Sequence, residues 1–350
     1  MIIRRFIAAA AIVLAGGTAL GNTVSAEPAD STSLWKYVPT IHGTIRAMYE
    51  LSAVNGESRF LVRNARLSAG GFVLPKVDYL LQVDFCDRGK IELLDAYVRI
   101  APVAGLKIMA GQMRVPFSAD AARSPHAYYF LNRSFIGKHA GNLRSVGLKA
   151  GYTFRGLPVY VEGGVFNASS RTDHTVWNSA LTYGIKANLP MRCGLTPQLA
   201  FMSQQPGGRG KGRRINAADF SLTLNAGNWI FEAEYLLANC TGPYPTTHKY
   251  NFFASHRWDV RLDWLNRLSA QVRFDGHTNA TNGYTDSQGL VSTTWPERKR
   301  LTLGGSASYC RGRVFLDFKL NYEFYFYEGD ESAVSPAEND KLSAGFILHF

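Results

Sequence analysis

The stretch 114–143 combines residue types that could attract anions. Its charged residues give it a net charge of +3, and two histidines accompany them: Arg114, Arg123, Arg133, Lys138, Asp120, His126 and His139. If these cations crowd a narrow channel with walls of low dielectric constant, their summed field concentrates anions and repels cations. A loop in water could carry the same charge for solubility alone, and this alternative stays open.

Four further basic residues lie in the middle of predicted strands, on the face that we assign below to the interior. They are Arg66, Lys149, Lys186 and Arg261. With the basic residues of 114–143, they form the set that we expect to bind anions at a pore constriction. Acids on the same face oppose them, which predicts a modest selectivity: Asp84, Asp95, Asp259 and Asp317.

Motifs of the common enzyme classes do not account for this chain. The stretch 207–212 reads GGRGKG, but Gly212 stands where a nucleotide-binding loop needs Ser or Thr after its lysine. The eight histidines show no zinc-ligand spacing, and no G-x-S-x-G elbow is present. A lipase that uses a lone serine and histidine stays open, but we expect no enzyme, no metal and no cofactor. The basic residues form no dense helical patch of the kind that nucleic acid requires, although a loop cluster occurs at Arg209, Lys211, Arg213 and Arg214.

The first residues predict export. Arg4 and Arg5 precede an apolar or small stretch from Phe6 to Leu20, and 24–26 reads VSA, which resembles a cleavage site. This pattern is typical of a secretory signal peptide and is too short for a spanning helix. We therefore expect a signal peptide over 1–26, a short N-terminal extension over 27–39 and one barrel domain over 40–350.

Four cysteines are too few for a disulfide scaffold, and a Cys86–Cys240 bond would require inward-folded loops.

From Ile41 to Phe350 the dominant hydrophobic period is two. In 314–324, for example, Val314, Leu316 and Phe318 alternate with Phe315, Asp317 and Lys319. One apolar face and one polar face, repeated over segments of about ten residues, is typical of a membrane barrel. We predict sixteen strands, at 40–50, 58–73, 77–86, 92–100, 105–113, 144–154, 158–167, 177–189, 195–203, 216–227, 229–238, 249–264, 267–275, 299–310, 312–327 and 341–350. The strand 249–264 could be interrupted near Ser255 and His256.

The sheet must close on itself because lipid surrounds it. Lipid offers no partner to a free backbone N–H, so a sheet inside a membrane must have no edge. Sixteen strands spaced about 4.8 Å apart and tilted by about 40° give a diameter near 30 Å, too wide to fill with side chains. The fold class expected is therefore all-β: a transmembrane antiparallel barrel of about 16 strands with an aqueous interior. The longest early connection, 114–143, follows the fifth strand and can fold into the pore.

Several segments resemble the phosphate- and polyphosphate-selective porin family (porin O and P). They are 60–70 (FLVRNARLSAG), 94–98 (LDAYV), 111–117 (GQMRVPF), 130–134 (FLNRS), 144–147 (RSVG) and 165–167 (VFN). The segment 111–117 is similar to the family's G-Q-x-K-x-P-F, with Arg114 in place of the lysine. The resemblance implies a sixteen-stranded porin, commonly trimeric, whose third loop forms a basic constriction for phosphate-like anions. The alternation that ends at Phe350 looks like a barrel-assembly signal.

These observations favour a passive porin of the bacterial outer membrane that prefers anions such as phosphate. Its expected partners are outer-membrane lipid, small anions, the barrel-assembly machinery through Phe350 and two further copies in a homotrimer, but no nucleic acid. A structural or adhesive barrel with a plugged lumen is the main alternative. A soluble, secreted β-rich binding protein is the third.

Overall fold

The computed structural model describes residues 37–87, 89–140, 143–168, 177, 180–205, 212–327 and 335–350. The expected signal peptide, most of the N-terminal extension, Arg209 and Lys211 lie outside the described residues. Among the described residues, no helix is long and apolar enough to cross a membrane. All four cysteines are free, so the Cys86–Cys240 bond does not form in this structure.

The described residues form sixteen strands. These are β1 (Thr40–Ser52), β2 (Ser58–Leu74), β3 (Val77–Asp87), β4 (Lys90–Ile100), β5 (Leu106–Arg114), β6 (Arg144–Thr153), β7 (Tyr160–Asn167), β8 (Leu181–Asn188), β9 (Leu195–Gln204), β10 (Ile215–Ala226), β11 (Trp229–Cys240), β12 (Thr247–Leu262), β13 (Leu265–His277), β14 (Arg298–Arg311), β15 (Val314–Phe326) and β16 (Lys341–His349). Each strand pairs with its sequence neighbours, and β16 closes the ring on β1. The prediction of a closed sixteen-stranded antiparallel barrel is confirmed.

Side chains alternate between the two faces of the wall, as the period of two predicts. In β15, Val314, Leu316 and Phe318 are exposed on the outside, whereas Asp317 and Lys319 are buried on the inside. Apolar side chains on the outer face suit contact with lipid, and the polar inner face needs water or internal partners. The pattern therefore places charged residues such as Asp317 and Lys319 inside the ring.

The two ends of the barrel differ in the length of their connections. Short turns such as 263–264 define what we call the turn end, and longer connections such as 278–297 define the loop end.

The predicted break in β12 is wrong, because the strand continues through Ser255 and His256. Its pairing with β13 becomes irregular only between Asp259 and Leu262, beside the turn. The strand bends where the chain reverses, not in its middle.

The described residues of the long connection between β5 and β6 form three short helical segments. They are α1 (Ala119–Ala122), a 3-10 turn (Pro125–Ala127) and α2 (Phe135–His139). Side chains cap both α-helices: Ser118 accepts from the Ala121 N–H and Ser134 accepts from the Gly137 N–H. Such capping satisfies backbone donors that a helix of one turn leaves free. The segment therefore has a fixed internal structure, which the site below uses.

Candidate functional site

The motif 111–117 begins where β5 leaves the wall. Gly111 has φ +130°, and a Cβ there would lie 2.3 Å from the Ala96 carbonyl oxygen, so no other residue fits. Gln112 donates from Nε2 to the carbonyl oxygens of Leu93 (2.6 Å) and Leu94 (3.0 Å). These bonds replace regular pairing, because the β4–β5 ladder ends at Ala96 and Gln112. The glycine and glutamine therefore fix β5 against β4 at the start of the connection.

The next residues of the motif anchor the connection by apolar packing. Val115 and Phe117 are buried, together with Ile136 of α2. They join an apolar cluster with inward-facing residues of the neighbouring wall: Phe166, Ala200, Met202, Ala217 and Leu236. Burial of a Val or Phe side chain stabilises by roughly 1.5–3 kcal/mol. The inner face at these positions is apolar because the connection covers it.

A buried acidic cluster holds the first half of the connection. Glu234 accepts from Ser118 Oγ at 2.6 Å and from the Ala119 N–H at 2.8 Å. Arg123 donates to Asp120 at 2.8 Å and also to Glu232. Burial lowers the pKa of the Arg123 guanidinium, but Glu232 and Asp120 outweigh it and raise that pKa above its ordinary value. Two carboxylates therefore compensate the charge of Arg123, which acts here as an anchor.

Cationic side chains from the wall hold the second half through its backbone. Carbonyl oxygens of residues 128–133 accept hydrogen bonds from four residues of β15, β1, β13 and β14: Lys319 (to Tyr128 O, 2.6 Å), Arg46 (to Leu131 O), Arg273 (to Asn132 O, 2.9 Å) and Arg300 (to Arg133 O, 2.7 Å). These strands lie across the ring from β7 to β11, which the apolar anchor contacts. The connection therefore crosses the space that the ring of strands encloses.

Three arginines meet around Tyr128, and we call them with it the Tyr128 cluster. The guanidinium carbons of Arg46 and Arg133 lie 5.0 and 4.9 Å from the centroid of the Tyr128 ring, and Arg133 also donates to its hydroxyl. Arg114 donates to the Ala122 carbonyl oxygen at the edge of the same region. Within the described part of the chain, none of the three forms an ion pair. Their charges therefore add to the positive potential of this region, with no carboxylate in an ion pair to neutralise them.

Two further arginines border the Tyr128 cluster, each with one acid. Arg66 pairs with Asp84 at 2.7 Å, and Arg144 pairs with Asp95 at 2.9 Å. Both interact electrostatically with Arg114, as Asp95 does. Five guanidinium groups against two carboxylates leave a surplus of positive charge in this part of the barrel.

The pKa of the Tyr128 hydroxyl reflects this surplus of positive charge. Burial raises the pKa of the Tyr128 hydroxyl, but Arg133, Arg66 and Arg46 outweigh it and hold the pKa below its ordinary value. A buried phenol would otherwise resist ionisation, so the lowered pKa reflects a positive local potential. An anion that entered this region would meet the same potential.

The predicted site residues separate into distinct groups. The structure brings Arg66, Arg114 and Arg133 together, whereas Arg123 lies in the buried acidic cluster with Asp120 and Glu232. Lys138 pairs with Glu338 near the loop end. Lys149 and Lys186 share Glu162, with both Nζ–Oε distances at 3.0 Å. Arg261 is exposed beside the turn 263–264 at the opposite end.

Sequence reasoning missed two members of this region. Arg46 lies inward on β1, and its alternation with outward Ile45 was a usable signal. Arg144 opens the RSVG segment, but nothing in that segment shows its partner. The role of Arg144 becomes visible only when the connection is placed against it.

The barrel is similar to several solved porins at low identity. An anion-selective porin from Comamonas acidovorans matches with a TM-score of 0.63 and 12% identity, over 89% of this chain and 98% of that one. The outer membrane channel DcaP of Acinetobacter baumannii gives 0.60 at 12% identity, over 91% and 98%. Salmonella typhi OmpF in complex with daunomycin gives 0.59 at 13% identity, over 89% and 97%. At these identities the likeness concerns the fold, and a search of the curated proteins found no match.

The family comparison is more specific than the fold. Residues 41–239, more than half of the chain, match the family described as phosphate-selective porin O and P. The matched range includes the motif 111–117, the whole connection between β5 and β6, and all five arginines at or beside the Tyr128 cluster. The chain therefore belongs to the phosphate-selective porin O and P family.

Proposed function

We propose that the protein is a porin of the bacterial outer membrane that conducts small solutes passively and prefers anions. The observation that carries this proposal is the positive surplus around Tyr128, where Arg46, Arg114 and Arg133 have no carboxylate partner among the described residues. Fixed charge beside a narrow, poorly polarisable passage raises the local concentration of counter-ions. Membership of a porin family supports the proposal of a channel. The arginines around Tyr128 would give that channel its preference for anions.

The arginines also favour one chemical class of anion. A guanidinium presents parallel N–H donors that match two oxygens of a carboxylate or phosphate. Phosphate-like oxyanions are therefore the permeants that we propose, with the connection between β5 and β6 as the constriction. Arg66 and Arg144 contribute less than Arg46, Arg114 and Arg133, since each already pairs with an aspartate. Lys138, Lys149, Lys186 and Arg261 lie outside the cluster and contribute least.

The surroundings of the channel follow from the same barrel. Exposed apolar side chains on the outer face, such as Phe231 and Phe252, suit contact with outer-membrane lipid. We propose removal of residues 1–26 on export, recognition of Phe350 by the barrel-assembly machinery, and a homotrimer. OmpT of Vibrio cholerae, which shares the fold, has been solved in a trimer form and supports the last proposal.

One observation favours the alternative of a plugged barrel. Inward-facing Asn251, Glu323 and Asp84 are fully buried, so the connection and the wall fill part of the interior. A structural or adhesive barrel would need the remaining space to be closed to solutes. Transport therefore separates the two functions.

Conductance in planar bilayers tests the proposal. Refolded protein that migrates as a folded barrel on unheated gels is added to one side of the membrane. We expect stepwise current increments, because the proposed channel would conduct solutes along the polar inner face of the barrel. Folded protein that inserts into vesicles but gives no increments would contradict the channel and support the plugged barrel.

A further inference from the structure

Three histidine rings stack where the connection between β5 and β6 meets the barrel wall. The ring centroids of His126 and His349 lie 3.9 Å apart at an interplanar angle of 14°. His349 stacks in turn on His42, at 6.0 Å and 15°. We call these three residues the histidine stack. Parallel rings at such distances suit neutral imidazoles, since like charges this close repel strongly.

The stack joins parts of the chain that are far apart in sequence. His42 lies near the start of β1 and His349 is the last residue of β16, so both belong to the seam that closes the barrel. His126 lies in the 3-10 turn of the connection, two residues before Tyr128. The stack therefore fastens the Tyr128 cluster to the seam.

Backbone oxygens at the seam, of Gly43 and Phe350, bond the rings of His349 and His42 and fix their orientation. Nδ1 of His349 lies 2.9 Å from the Gly43 carbonyl oxygen, which can only accept, so this nitrogen carries the proton. Nε2 of His42 is buried without a hydrogen-bond partner within the described residues. A neutral ring can leave that acceptor unpaired at modest cost, whereas a protonated one would bury an unpaired N–H and a charge.

Among the described residues, every charged side chain with a marked effect on the stack is positive. Arg114 of β5 and Arg66 of β2 act on His126, and Arg313 of the turn after β14 acts on His42. Burial has the largest effect on His126, followed by His349, Arg114 and Arg66. Together they lower the pKa of His126 to about 3. Acid would thus add charge to a site that already carries a positive surplus.

We propose that the histidine stack is an acid-sensitive fastener that holds the connection to the seam when neutral and releases it when protonated. Once released, the 3-10 turn moves off the wall, and the Tyr128 ring moves with it further into the lumen. Acidification then lowers the current through the channel, reversibly. This role goes beyond anion preference, because it concerns when the passage is open.

The direction and size of the effect follow from linkage. His126 has its ordinary pKa of 6.5 when released and a lower one when stacked, so the released state binds more protons. Release is therefore disfavoured at high pH and becomes about tenfold more favourable for each pH unit below about 6.5, for one titrating histidine. The gain continues until the stacked ring itself is protonated.

Hydrogen exchange of the full-length protein tests the fastener without any transport measurement. The reporter is the Ala127 amide, which donates to the Ser124 carbonyl oxygen at 2.9 Å inside the 3-10 turn. Its protection factor, corrected for the intrinsic pH dependence of exchange, is measured between pH 7.5 and 4.5 by mass spectrometry of a peptide over 124–130. We expect a fall of up to tenfold per pH unit below about 6.5 in the wild type. In His126→Phe, which keeps a ring for stacking but cannot titrate, we expect a flat profile.

His139→Phe is the matched control, since His139 is a second buried histidine of the same connection and stacks on Trp295 instead. It should keep the acid-dependent loss of protection at Ala127. A wild-type profile that stays flat, or an equal loss of protection in His126→Phe, would overturn the fastener.

Single-channel recordings at the same pH values measure acid closure of the channel, a readout that rests on the proposed function. Loss of exchange protection without acid closure would leave the fastener standing and remove only its effect on transport.

Discussion

Replacing Arg46, Arg114 and Arg133 together by glutamine is expected to remove most of the anion preference of the channel. These residues supply the positive charge at Tyr128 that the described carboxylates do not balance. Three charges acting over about 5–8 Å in a wet passage change the ratio of anion to cation permeability by about tenfold. The reversal potential in a salt gradient measures this ratio and should move towards the cation side. Arg123 and Lys138 stay in place, because Glu232, Asp120 and Glu338 already pair with them.

A charge-matched control distinguishes this site from a general effect of net charge. Arg155, Arg192 and Arg311 are exposed at the turn end, where salt screens their field. Their replacement by glutamine removes the same number of charges and should shift the reversal potential much less. Equal shifts from the two triple variants would leave a porin, but would place its selectivity outside the Tyr128 cluster.

Leu222→Arg is expected to destabilise the folded barrel by about 2–4 kcal/mol, the cost of an arginine on the lipid face near the bilayer midplane. Leu222 lies in the middle of β10 and lines an apolar groove on the outer surface together with Phe231, Ala233 and Phe252. Thr223, the next residue, faces inward and donates to Glu232 Oε2 at 3.3 Å. Urea titrations of refolding in lipid vesicles give the free energy of unfolding for each variant.

Thr223→Arg is the control for the lipid face. The new arginine would lie beside Glu232 on the inner face, so we expect a much smaller loss of stability than in Leu222→Arg. If both substitutions cost the same, the assignment of the two faces of β10 would be wrong.

The fold was predictable because lipid imposes a local rule on every strand. Each residue of β15 must face either lipid or the interior, so the alternation of Leu316 and Phe318 with Asp317 and Lys319 appears in the sequence itself. Closure and the even number of strands follow from the need to pair every backbone N–H. The long connection after β5 was visible for the same reason, since no period of two runs through 115–143.

The site was less predictable because its contacts depend on where the connection lies. Charge alone could not distinguish Arg123, which forms ion pairs with two carboxylates, from Arg133, which forms none with the described carboxylates. Nor could it show that Arg46, far along the chain, donates to the Leu131 carbonyl oxygen. The inward apolar residues Phe166 and Met202 contradict a uniformly polar interior, and only the packing of Phe117 against them explains their type.

The reversal potential of the wild-type channel tests the central claim most directly. Single channels of the refolded protein are recorded in a potassium chloride gradient at pH 7.5, where the histidine stack is neutral. We expect the sign of the potential to show that chloride is more permeant than potassium, and added phosphate to reduce the chloride current by competing for the arginines. A wild-type channel that prefers potassium would contradict the account of the Tyr128 cluster.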